Sequence, residues 1–304
     1  MKFKKVLCST DENPLKITNI EKYLIIDSLS VECTIEKLCA VLNISSRSFR
    51  KWKTKIKPIA NNFDINIADI ITTIFMDNFE VYGVERLKAE IKQVYGLCLY
   101  HKRIRRYKKI LNLKTITRTK NKKSIKNTKP CNLNYMAKNI IDCNFTSEAP
   151  YQKLSTDVSY IKCSNGTLYL SAVKDLFNNE IVSYSVSERN NIDLALDTIS
   201  KLPDVKEGCI IHSDQGSLYY SWDYRNKLDE LNCVRSMSER GKCWQNSPIE
   251  NWFSQIKEEW LRRIGLKTKD ETKVQIKEYV EWYNTQRIQK SLGYLSPVEF
   301  RLNI

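Results

Sequence analysis

Thr156-Asp157-Val158-Ser159-Tyr160-Ile161-Lys162-Cys163, then Ser164-Asn165-Gly166, then Leu168-Tyr169-Leu170-Ser171-Ala172-Val173, is the stretch that decides the fold class. Two β-rich runs flank a Ser-Asn-Gly separator. That is hairpin-turn chemistry, so 158–163 and 168–173 read as paired antiparallel strands. A third run, Ile181 to Val186, follows the turn signal Asn178-Asn179 and extends the meander. Beyond it the pattern alternates: a helix over Asn191 to Leu202, a buried strand over Cys209 to His212, a helix over Asp223 to Leu231 and a short strand over Val234 to Met237. Strands first and alternation afterwards predict an α/β domain, a mixed five-stranded sheet with helices on both faces. Helices over Pro248 to Arg263 and Thr272 to Thr285 close the chain.

Three acids stand out in this frame. Asp157 lies in Ser155-Thr156-Asp157-Val158-Ser159-Tyr160, Asp214 in His212-Ser213-Asp214-Gln215-Gly216-Ser217, and Glu250 in Ser247-Pro248-Ile249-Glu250-Asn251-Trp252-Phe253. Residues 215 to 249, 35 in number, separate the second acid from the third. Two carboxylates leaving strand ends and a third on a following helix can converge on divalent metal. Paired metals roughly 3.5–4 Å apart stabilise the attacking and leaving oxygens of phosphoryl transfer. Mg²⁺ prefers oxygen donors and keeps positions open for water and phosphate.

Upstream, residues 15 to 56 read as all-helical. A periodic segment from Ile20 to Leu29 precedes Thr34 to Leu42, the turn Asn43-Ile44 with Ser45-Ser46 as N-cap, and the basic helix Arg47-Ser48-Phe49-Arg50-Lys51-Trp52-Lys53. This is helix-turn-helix layout, with the second helix placed to read the major groove through Arg47, Arg50 and Lys51. A plain helical hairpin is the alternative. A second helical module comprises Ile67 to Asn78, Gly83 to Ile91 and His101 to Leu111. Periodicity is lost over 114–150. The expected division is 1–58, 62–115, a basic linker 116–150 and a catalytic domain 151–304.

The net charge of +15 is concentrated. Residues 101–130 hold 13 lysines and arginines and no acid, which leaves +2 for the rest. Tyr107, Ile110, Leu111 and Leu113 interleave the cations at helical spacing. One face can pack while Lys102, Arg103, Arg105, Arg106 and Lys109 face DNA phosphates. A solvated basic tract and a membrane surface are the other readings; no apolar face is long enough for interfacial insertion. No run approaches the roughly 20 apolar residues of a membrane span, and the N-terminus has no secretory signal core. The chain reads as cytoplasmic. Its 10 cysteines include no Cys-x-x-Cys pair and only two histidines accompany them, so reduced thiols packed as small hydrophobes are expected.

Thr156-Asp157-Val158-Ser159-Tyr160, Val173-Lys174-Asp175-Leu176-Phe177, the His212 to Ser217 run, Glu250-Asn251-Trp252-Phe253 with Lys257, and Tyr283-Asn284 with Arg287 carry a resemblance. In these motifs, and in Tyr82-Gly83 and His101 to Ile104 upstream, the chain resembles the second-frame (orfB-type) transposases of bacterial insertion-sequence family three, relatives of retroviral integrases. The resemblance covers nearly the whole chain. It implies an RNase H-like core in which Asp157, Asp214 and Glu250 are both catalytic and metal-ligating, with two Mg²⁺ (or Mn²⁺) ions. It also implies double-stranded DNA partners at element ends and target, a synaptic homo-oligomer, pairing or fusion with an upstream orfA-type protein, and work at the bacterial nucleoid. Lys257, seven residues beyond Glu250 on one helix face, could hold DNA beside the metals; a solvated lysine or an ion pair with Glu258 or Glu259 is the alternative reading. His212, Gln245 and Asn246 read as supports, and Asp175 as a turn cap outside the catalytic set. The chain has Leu154 where many members have Trp, Gln245-Asn246-Ser247 where many have Asp-Asn-Ala, and Gln289 where some have His. The leading function is strand cleavage and transfer. The alternatives are a transposase-derived DNA-binding protein without activity and an RNase H-like nuclease.

Overall fold

The protein is described by a computed structural model over residues 19–30, 33–55, 64–116 and 137–304. The N-terminal 18 residues and the core of the expected linker, 117–136, lie outside the described residues. The chain forms two compact units, 1–68 and 69–304.

The first unit holds three helices, α1 (Asn19–Leu29), α2 (Ile35–Val41) and α3 (Ser46–Lys55). The turn between α2 and α3 places Asn43 at φ 52°, a left-handed conformation that Asn tolerates. Ile26, Leu38, Cys39, Phe49 and Trp52 close a small core. Phe49 and Trp52 spend the inner face of α3 on that core, so Arg47, Arg50 and Lys51 are left exposed. The region expected to be all-helical is helical.

The second unit contains most of α4 (Ile65–Asp77), then α5 (Val84–Tyr95) and α6 (His101–Ile110). Gly96 at φ 66° ends α5 in the left-handed cap that glycine adopts without strain. The module is stitched to the far end of the chain. The Tyr82 hydroxyl accepts from Ile288 N at 2.9 Å and donates to Gln286 O at 3.3 Å. Phe79 packs its ring 4.1 Å from Trp260 and 5.2 Å from Trp282.

Five strands follow: β1 (Lys153–Cys163), β2 (Gly166–Asp175), β3 (Ile181–Ser187), β4 (Ile210–Ser213) and β5 (Val234–Met237). Their spatial order is β3-β2-β1-β4-β5. The first three pair antiparallel, and β4 and β5 lie parallel to β1 and to each other, the RNase H-like arrangement. Helices α7 (Ile192–Ser200) and α8 (Trp222–Glu230) cover one face through a core that includes Leu154, Val173, Ile199, Ile211 and Leu228. On the other side lies α9 (Ser247–Gln255), continued by a π turn over Ile256–Leu261 and a last turn over Arg262–Ile264. Then come α10 (Lys269–Thr285), opened by a Thr268/Glu271 capping box, and α11 (Pro297–Leu302). The cysteines among the described residues are free.

Two elements differ from expectation. β1 starts at Lys153, five residues before Val158, so Asp157 lies inside a strand and not at its end. Ser155 and Thr156 look like loop residues yet are 1% exposed, because their hydroxyls are satisfied: Ser155 by Asn246 at 2.7 Å and Thr156 by the Ala172 carbonyl at 3.0 Å. The helix expected over Pro248 to Arg263 is interrupted by the π turn, which begins at Ile256 and contains Lys257.

Candidate active site

The sheet brings the first two acids to neighbouring strands. β1 pairs with β4 only from Lys153 to Ser155, Ser155 opposite His212, and Asp157 stands just past the last pair. Asp214 follows the end of β4, so this second carboxylate does leave a strand end as expected. Side chains alternate along a strand, so Ser155, Asp157 and Ser159 share one face. That face looks toward α9, as bonds from Ser155 to Asn246 and from Lys257 to Ser159 show. Glu250 sits in the first turn of α9.

The three acids sense one another. The Asp157 carboxyl is held well above the ordinary carboxylate range, first by burial, then by the Asp214 charge and, more weakly, by Glu250. Lys257 opposes that rise. Each aspartate also accepts a backbone N–H of its own segment, Asp157 from Val158 at 2.7 Å and Asp214 from Gly216 at 2.8 Å. A Cβ at Gly216 would come within 2.9 Å of Asp214 Oδ1, so a larger residue there would have to displace that carboxylate. Among the described residues no three His, Cys, Asp or Glu side chains form a group ready to hold an ion. The donor set fits a hard divalent cation all the same. It offers only carboxylate oxygens, and its mutual repulsion is what a 2+ charge relieves.

The predicted supports are built into the frame. Asn246, fully buried, accepts from Ser155 Oγ and donates to the Thr156 carbonyl at 3.1 Å, clamping the chain next to Asp157. Gln245 accepts from Glu239 N at 2.6 Å and donates to the Glu239 carboxylate at 3.0 Å, closing the loop that precedes α9. The loop's other end is tied by Ser238 N to the Ser213 carbonyl, one residue before Asp214, at 2.9 Å. His212 contacts Ser236 Oγ through Nδ1 at 2.8 Å, and burial lowers its pKa to about 4, so it is a neutral support at physiological pH. Asp175 caps the turn after β2 by accepting from Phe177 N and from Tyr151 N, each at 2.9 Å. Lys257 donates to Ser159 Oγ at 2.7 Å and lies 4.7 Å over the Tyr160 ring. The carboxylates of Glu258 and Glu259 go to arginines instead: Glu258 to Arg262, and Glu259 to the nearly fully buried Arg287 through two bonds of 2.6 and 2.9 Å.

Two participants escaped the sequence reading. Lys174 is buried on β2 and donates to the Pro248 carbonyl at 3.3 Å, which ties the start of α9, and so Glu250, to the sheet. Burial and then the Arg287 charge lower its pKa to about 8. Tyr219 is buried near Asp157, and its hydroxyl is held up by burial first and by the Asp157 charge next. The Val-Lys-Asp motif pointed to the first without giving its role; nothing marked Tyr219 out from the other 15 tyrosines.

The residues predicted to face DNA fall on three separate elements. Arg47, Arg50 and Lys51 are exposed on α3, Arg50 paired to Glu36 at 2.6 Å. On α6, Lys102, Arg103, Arg105 and Lys109 are exposed, whereas Arg106 is half-buried beside the packed Ile104 and Tyr107. Lys257 alone stands beside the acids.

Integrase core domain models match residues 147–243 and 232–297, the span of the sheet and the helices that follow it. The chain is 32% identical over 269 residues to the insertion element IS600 uncharacterized 31 kDa protein of Shigella sonnei, covering 87% of this chain and 97% of that protein. It is 34% identical over 234 residues to the putative transposase InsK for insertion sequence element IS150 of Escherichia coli (strain K12), covering 76% and 81%. Transposase InsF for insertion sequence IS3A of the same organism is 26% identical over 299 residues, covering 92% and 98%. Among solved structures, the HTLV-2 integrase catalytic core domain in complex with magnesium superposes on 51% of this chain and 98% of its own, at TM-score 0.40 and 15% identity.

Proposed function

Because the chain belongs to the integrase-core transposases of insertion-sequence family three, which are polynucleotidyl transferases, we propose that it cuts DNA strands at the ends of its element and joins them to target DNA. The observation that supports this reading is the placement of Asp157 on β1, Asp214 just past β4 and Glu250 in the first turn of α9, near enough that the charges of Asp214 and Glu250 both raise the Asp157 carboxyl. Asp157, Asp214 and Glu250 are the residues that would hold Mg²⁺ or Mn²⁺. When bound there, paired ions supply activation of a water or 3′-hydroxyl and stabilisation of the leaving oxygen. The protein's own part is positioning, which dominates phosphoryl transfer. Asn246 and the Ser238–Ser213 bond fix the backbone beside the two aspartates, and Lys174 fixes the helix of Glu250. Lys257 places a cation at the rim of the site, where a DNA phosphate is attracted. The partners in this reading are double-stranded DNA and further copies of the chain in a synaptic complex, with an upstream orfA-type protein paired or fused to it. No described helix is long and apolar enough to cross a membrane.

The test uses labelled duplexes carrying the element's ends with Mg²⁺. Wild-type protein is expected to cleave and join. Asp157→Asn, Asp214→Asn and Glu250→Gln are each expected to lose about 10²–10³-fold or more in both steps, in line with removal of a principal electrostatic contributor, while binding DNA as wild type does. Turnover by any of the three comparable to wild type would sink the assignment. Cleavage without joining would make the protein a nuclease on the same core, and binding without either reaction a DNA-binding factor.

A further inference from the structure

Beyond Ser155 the β4 side of β1 has no strand partner among the described residues, and a cavity of about 450 Å³ opens alongside it. Its walls include Tyr160, Lys162, Lys257, Arg262, Leu266 and Lys267, and no aspartate or glutamate lines it. The cavity begins three residues past Asp157 on the same strand; Tyr160 and Lys162 leave β1 on the face opposite Asp157, and Lys257 reaches from the Asp157 face to the Tyr160 ring. Its geometry is fixed from two sides: Ser164 N donates to the Lys267 carbonyl at 2.8 Å, and Lys257 links Ser159 to the Tyr160 ring. Tyr160 remains 50% exposed and Leu266 69% exposed. Lys162 and Lys267 form no salt bridge within 4.0 Å among the described residues, although the Lys267 charge reaches Glu271. A fixed aromatic ring, an apolar wall and cations on the rim match the demands of one nucleotide: a face for the base and charge for its phosphate.

We infer that this cavity holds an unpaired nucleotide of the DNA strand that lies next to the cut, its base against Tyr160 and its phosphate among Lys162, Lys257 and Lys267. The inference rests on the proposed reaction at the neighbouring carboxylates. A duplex shows a protein only the edges of its bases, so a ring platform at this point has use only for a base taken out of the stack. The volume lies within the roughly 300–1,000 Å³ typical of small-ligand clefts, enough for a nucleotide and too small for a duplex segment.

The experiment measures binding of full-length protein, in EDTA so that no strand is cut, to element-end duplexes that are blunt or carry one unpaired 2-aminopurine nucleotide on either strand. Wild type is expected to bind one overhang duplex on the order of 10-fold more tightly than the blunt one and to quench the 2-aminopurine. Tyr160→Ala is expected to lose both effects, Tyr160→Phe to keep them, and Lys162→Ala/Lys267→Ala to lose the affinity gain. Unchanged melting temperatures would show all variants folded. The inference is overturned if wild type binds blunt and overhang duplexes equally, or if Tyr160→Ala keeps the preference and the quench. Displacement of the overhang by an equal concentration of free deoxynucleotide would reassign the cavity to free nucleotides. Failure of wild type to bind any duplex would instead bring down the proposed function itself.

Discussion

Gly216 shows how narrow the tolerance around an acid is. Its N–H holds Asp214 Oδ1, and an added Cβ would press on that same oxygen at 2.9 Å while meeting the Tyr219 ring at an ordinary contact distance of 3.4 Å. Gly216→Ala is therefore expected to displace the carboxylate without unfolding the sheet. A shift of about 1 Å in a catalytic group costs on the order of 10²-fold. Single-turnover cleavage by Gly216→Ala, compared with its melting temperature, checks this; an unchanged rate would mean that Asp214 does not act from this position. At this scale the acids were legible because their chemistry is explicit in the residue type. What each neighbour does was not. Asn246 clamps β1 by a contact spanning 90 residues of chain, and Tyr219 approaches Asp157 only through the fold.

Elements were legible where hydrophobic periodicity ran unbroken, as in β2, β3, α5 and α7, and blurred where polar groups were buried. The start of β1 is the plainest case: Lys153, Ser155 and Thr156 carry no apolar signal, and only their tertiary hydrogen bonds make burial affordable. The π turn after α9 likewise leaves no mark in residue type. Between elements, Lys174 is the informative join. Its ammonium is buried, so below pH 8 both folded and unfolded chains carry the proton and folding bears the cost of dehydrating it. From pH 8 toward the ordinary lysine value of about 10.4, the folded chain releases the proton while the unfolded chain retains it, so stability rises with pH by roughly 3 kcal/mol. Urea unfolding at pH 7.5 and pH 10 is expected to show that rise in wild type and to lose it in Lys174→Met. An equal rise in both would assign it to other groups.

For the whole molecule, charge was the most legible property and arrangement the least. The excess of +15 points to a polyanion, but only the fold shows that Lys102, Arg105 and Lys109 share the open side of α6 while Ile104 and Tyr107 anchor the other. Replacing those three cations by alanine is expected to reduce the slope of log affinity against log salt by about 2–3, with little dependence on sequence. An unchanged slope would exclude α6 from the DNA surface. The two units divide at residue 68, and the boundary expected between 58 and 62 lies outside the described residues. The bonds from Tyr82 to Gln286 and Ile288 belong to the larger unit and join the module of α6 to the last helices of the catalytic domain. Those helices reach the sheet through Asn284, whose side chain bonds both the N–H and the carbonyl of Ile181 at 2.9 Å. If the proposed function holds and DNA lies on both α6 and the carboxylates, these bonds make the fold a ruler: a one-base-pair insertion between the gripped sequence and the cut is expected to turn the scissile phosphate away around the helix axis and lower cleavage.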